Sequence, residues 1–119
     1  MADIPADIGA LARKIGDYQI TDPTGIRELS ELCRIFEVEC AEVIGFARFE
    51  VYQAVWAADH GKPRRAKQVA RPLDHAVSLH MMAAKRCVAV YRTFTRLFAE
   101  ELTAKKAQDR GKRQFNWKA

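Results

Sequence analysis

Between Pro23 and Pro63 the chain has no proline, and across that span apolar residues recur at steps of three and four. Leu29, Leu32, Cys33, Phe36, Cys40, Val43, Ile44, Ala47, Val51, Ala54, Val55 and Ala58 trace one face of a single helix. Asp22-Pro23 supplies its start: a side-chain acceptor for the first free N–H groups, then a proline whose missing N–H costs nothing there. The spacing predicts a helix from Pro23 to about His60, roughly 57 Å long at 1.5 Å per residue. So long an amphipathic helix is stable only when its apolar face is covered.

The cover is expected from the second half. Gly61 to Arg71 reads as a connector, and Pro72 reads as the start of a second long helix reaching Gln108, with Asp74 in its first turn. Leu73, Val77, His80, Met81, Ala84, Cys87, Val88, Tyr91, Phe94, Phe98 and Leu102 form its apolar face. Pro5, then Ile4, Ile8, Leu11 and Ile15, predict a short N-terminal helix ended by Gly16 and Asp17. The expected fold is all-α: a short helix plus a long antiparallel hairpin, its bundle completed by a partner chain. One domain spans residues 1–110, and 111–119 form a basic tail. Folding about residue 65 sets Glu50 opposite His80, a buried pair fixing register, and brings Gly45 against Ala83, Ala84 and Lys85.

A hairpin does not need the opposite face of the first long helix to be apolar. Yet Ile35, Val38, Phe46, Phe49, Tyr52 and Trp56 lie there, interleaved with Glu39, Glu42 and Gln53. A helix apolar on two faces is covered on two faces, so this one is expected to contact protein neighbours or a second copy.

Charge divides the chain in half. Residues 1–59 carry eleven Asp/Glu and five Lys/Arg; residues 60–119 carry four and fifteen. Lys62, Arg64, Arg65, Lys67 and Arg71 crowd the expected connector. Lys85, Arg92 and Arg96 share one solvent line with Arg86 beside it, and Arg113 lies in the tail near Phe115 and Trp117. Such a basic side can track a phosphate backbone, RNA or DNA, by charge rather than sequence. The alternative, of equal weight, is that the acidic half is matched to the basic half within the fold.

Catalytic chemistry finds no foothold. Ser30 and Ser78 sit in no nucleophile elbow, no Glu-x-x-His motif is present, and no Gly-rich phosphate loop occurs. Cys33–Cys40 and His80–Cys87 are each seven apart, which separates their ligands by about 10 Å along a helix, too far for one zinc ion. Neither metal nor cofactor is expected. Three cysteines, an N-terminus without an apolar signal core and no long apolar run lead to the expectation of a cytoplasmic, membrane-free protein.

In size, helix content, basic helix face and aromatic second face, the chain resembles the small helical subunits of multi-subunit CRISPR effector complexes. That resemblance implies a subunit stacked along guide and target strands in antiviral defence. The expected function is therefore a non-enzymatic nucleic-acid-binding subunit of a nucleoprotein assembly. The alternative is a protein-interaction module, a homodimeric four-helix-bundle adaptor or chaperone.

Overall fold

The computed structural model describes the backbone of residues 7–107 and the side chains of residues 8–103. Among the described residues four helices occur in order: α1 (Asp7–Asp17), α2 (Pro23–Ala58), α3 (Pro63–Leu97) and α4 (Ala99–Ala107). No strand is present among the described residues. The architecture is all-α, with α2 and α3 antiparallel and packed along their lengths; α1 packs on α2 and does not reach α3.

The start of α2 follows its sequence. Asp22 is extended, and its carboxylate accepts a hydrogen bond from the Gly25 N–H at 3.0 Å. Gly25 is buried because Ile20 and Tyr18 lie over it; a Cβ there would meet Ile20 at 3.4 Å. Tyr18 donates its hydroxyl to Glu28, and this bond beside a carboxylate pushes the phenol up to about 12.

The hairpin turn is shorter than the composition of 61–71 suggests. The Gly61 N–H bonds to the Trp56 carbonyl and the His60 N–H to that of Ala57, a Schellman closure. His60 and Gly61 both take left-handed backbone, φ 57° and 77°. The chain re-enters helix at Pro63, so Pro72 lies inside α3 rather than at its start. The missing N–H of Pro72 loses one helical bond, but Ala66 and Ala70 just before it are fully buried. Packing along α2 outweighs that local cost. At the other end the helix breaks at Phe98, whose backbone leaves helical geometry, and α4 continues after it.

The seam between α2 and α3 is lined with small residues. Among the described residues, the buried apolar side chains are Ala41, Ala66, Ala70 and Ala84, with Ser30 as the buried polar one. The Ser30 hydroxyl donates to the Ile26 carbonyl at 2.6 Å. Helical spacing continues the α2 seam line through Glu37, Ile44, Arg48 and Val55. The apolar stripe from Leu29 to Ala58 therefore touches the seam only at its edge, through Ile44 and Val55, with the rest turned to one side, and none of its residues is buried.

Pro72→Ala restores a helical bond in mid-helix and should raise stability by about 1–3 kcal/mol in urea unfolding; at a helix start it would gain little. Ala70→Leu should cost a similar ~1–3 kcal/mol by overfilling the seam.

Candidate nucleic-acid interface

Because α3 begins at Pro63, part of the basic cluster assigned to a connector is helical. Lys67, Arg71, Ser78, Lys85, Arg92 and Arg96 are spaced four, seven, seven, seven and four apart. They fall on one line of one helix, roughly 44 Å long at 1.5 Å per residue. All six are exposed, and no ion pair among the described residues uses the five cations.

The remaining sequence-predicted cations are placed differently. Lys62 is the N-cap of α3, and Arg64 and Arg65 follow at the hairpin tip. Arg65 stands 3.9 Å from Asp59, a loose pair. Arg86 lies about 100° round the helix from Lys85, off the line. Arg113 lies outside the described residues.

The two helices run antiparallel, so stepping one residue forward from the seam on either turns toward the same side of the hairpin. On α3 that step reaches Lys67, Arg71, Lys85 and Arg92. On α2 it reaches Glu31, Val38, Glu42, Phe49 and Trp56. One broad side thus joins a basic line to an acidic and aromatic one. An open groove of about 680 Å³ lies on it, lined by Arg27, Ser30, Glu31, Val88, Tyr91, Arg92 and Thr95. In that groove Arg34 clamps Glu31 with paired hydrogen bonds, and the guanidinium holds the Glu31 carboxyl below the usual carboxylate range.

The aromatic set divides. Phe46 and Phe49 are 50% and 56% exposed and contribute nothing to the seam. Ile35, Val38 and Tyr52 are half-buried. Arg48 lies 5.0 Å from the Tyr52 ring centroid, and its Nε donates to Asp74 at 2.8 Å. Trp56 lies against the turn, 3.4 Å from where a Gly61 Cβ would be. Tyr52 and Trp56 therefore serve the hairpin itself. Sequence spacing could not separate them from Phe46 and Phe49.

The expected Glu50–His80 pair is corrected. His80 Nδ1 meets Glu37 Oε2 at 2.5 Å, and Glu50 is exposed. The early re-entry at Pro63 slides α3 along α2, so His80 meets a residue thirteen positions earlier than expected. Gly45 likewise makes no close helix approach; the space at its Cβ position is open. Cys40 and Cys87 are half-buried thiols that burial pushes up, with Glu37 adding to both and Cys33 to Cys87. No group of three or more His, Cys, Asp or Glu side chains among the described residues is placed to hold a metal ion. No helix among them is long and apolar enough to cross a membrane.

Residues 21–119 match the family of plasmid transfer proteins described as TraA-like. The chain belongs to that family. No curated protein and no solved structure matches it. The resemblance to CRISPR effector subunits, and with it the role in antiviral defence, is therefore overturned. It rested on size, helix content and basic charge, which many helical hairpins share. The TraA-like match begins one residue before the Asp22 cap, so it takes in the whole hairpin and leaves out α1.

The corrected register is directly testable. Glu37→Gln should lower stability by about 1–2 kcal/mol in chemical unfolding, since it weakens a charge-assisted bond in a part-buried seam. Glu50→Gln, on the exposed surface, should stay within about 0.5 kcal/mol of wild type.

Proposed function

We propose that this chain is a non-enzymatic plasmid transfer protein that binds the DNA backbone through the basic line of α3. The observation that carries this reading is the placement of Lys67, Arg71, Lys85, Arg92 and Arg96 on one exposed line of one helix, where the acid between them, Asp74, is taken up by Arg48. A straight row of cations without ion-pair partners recognises a polyanion, and displaced counterions provide the binding free energy. The family's printed name concerns plasmids, which are DNA, and this favours DNA over RNA. Phosphate contacts carry no sequence information, so the expected binding is sequence-tolerant.

Binding should weaken steeply with salt. Five phosphate contacts imply a log–log slope of about −3.5 on single strands and about −4.5 on duplex. Reversing Lys85, Arg92 and Arg96 to Glu should flatten that slope by about 2 or more, alike on unrelated sequences, with little change in helicity. A chain ending at Gln108 is the companion measurement. Unchanged binding by the triple variant together with loss in the shortened chain would place the contact in residues 109–119 instead.

A second reading, a protein-interaction module, is favoured by the exposure of Phe46 and Phe49. Absence of DNA binding by the wild-type chain at low salt would leave this as the better account. Phe46→Glu with Phe49→Glu should then release a bound protein partner while the hairpin stays folded, because neither ring supports the seam.

A further inference from the structure

Stepping one residue back from the seam turns both helices toward the side of the hairpin opposite the charged one. On α2 this reaches Cys40, Val43, Ala47 and Ala54; on α3 it reaches Val69, Ala76, Leu79, Ala83, Val90 and Leu97. Every one of these is apolar. Leu79 and Leu97 are 64% and 66% exposed, with Val69 and Val90 near half. The α2 half of this side belongs to the stripe that periodicity assigned to the hairpin core, and its α3 half was not singled out from the sequence.

We infer that this apolar side docks a second copy of the chain, α2 of each lying on α3 of the other in a four-helix bundle. Three observations carry it. The first is the size of the core: among the described residues the buried apolar side chains are all alanines, while eleven large hydrophobic residues are exposed. The second is area. From Val69 to Leu97 the strip runs about 42 Å and is roughly 18 Å wide for two packed helices, or on the order of 750 Å². That matches the ~800 Å² each partner contributes to a stable interface of standard size.

The third observation, charge, selects a second copy over an unrelated protein. The outer faces of the two helices, pointing away from the seam, carry the exposed acid Glu50 on α2 and the exposed bases Arg64, Arg71 and Arg86 on α3. A twofold axis parallel to the helices lays each acidic edge along the partner's basic edge. Such an axis also keeps levels unchanged. In the register that joins Arg48 to Asp74, Glu50 stands level with Arg71 and Pro72. Glu50 of one copy therefore faces Arg71 of the other. The arrangement leaves Lys67, Lys85, Arg92 and Arg96 on the outside of the dimer and engages Arg71 alone of the basic line, so it does not depend on the proposed DNA binding.

Sedimentation equilibrium without nucleic acid reads the outcome. The wild-type chain should have twice the chain mass at micromolar concentration, and Leu79→Glu with Val90→Glu should abolish the dimer. Because those two substitutions could also loosen the hairpin, the charge-swap cycle is decisive. Glu50→Arg and Arg71→Glu should each raise the dissociation constant roughly tenfold by placing like charges together, and the double swap should restore it. A monomeric wild type at every concentration would overturn the inference. So would a dimer indifferent to both single reversals, or one lost in a chain ending at Gln108 while the reversals have no effect.

Discussion

The α2–α3 seam is built from alanine, and the rest of the molecule takes its form from that. Ala66 and Ala70 have no exposed surface, and Ala41 and Ala84 nearly none. Small side chains let two long helices approach closely, and the larger apolar residues beside the alanines stay half-buried or exposed. Burial of alanine removes little surface from water, so each contact stabilises weakly and length must compensate. That is why both helices run to about 35 residues. It is also why α3 tolerates a proline in its middle: one lost bond is small against the whole seam.

A seam of alanines does not by itself choose a register, because one small residue fits against another almost anywhere. The polar pairs that cross it do. His80 with Glu37 and Arg48 with Asp74 are each satisfied at only one sliding position of α3 along α2. Buried or half-buried polar pairs contribute little net stability but penalise mismatched arrangements, since a slip leaves a desolvated charge without a partner. Arg48 contributes twice, to Asp74 and over the Tyr52 ring.

The seam also sorts chemistry between the two sides of the hairpin. Antiparallel pairing turns the forward neighbours of both helices to one side and the backward neighbours to the other. In this chain the forward neighbours on α3 include Lys67, Arg71, Lys85 and Arg92, and the backward neighbours from Val69 to Leu97 are apolar, as are Cys40, Val43, Ala47 and Ala54 on α2. This member of the TraA-like family thus presents one charged side and one apolar side from a single pair of helices. The cationic line is straight only because α3 is unbroken from Pro63 to Leu97.

Periodicity alone determined the all-α class, the Asp22–Pro23 start of α2, the seam face of α3 and the antiparallel hairpin. Each depends on residues near one another in the chain, where steps of three and four or a cap are sufficient evidence. The line of Lys85, Arg92 and Arg96 was legible for the same reason. Four features depended on contacts between distant residues. Pro72 looked like a helix start because local sterics are all a sequence displays; burial of Ala66 and Ala70 against α2 decided otherwise. The turn at His60–Gly61 then set the register, moving His80 from Glu50 to Glu37 and extending the basic line to Lys67 and Arg71. On α2, apolar residues surround so much of the helix that periodicity could not say which stripe faces α3. Only tertiary packing decided that the line through Ser30, Glu37, Ala41 and Arg48 does, because Ser30 and Ala41 are buried there and Glu37 and Arg48 find their partners His80 and Asp74 on α3.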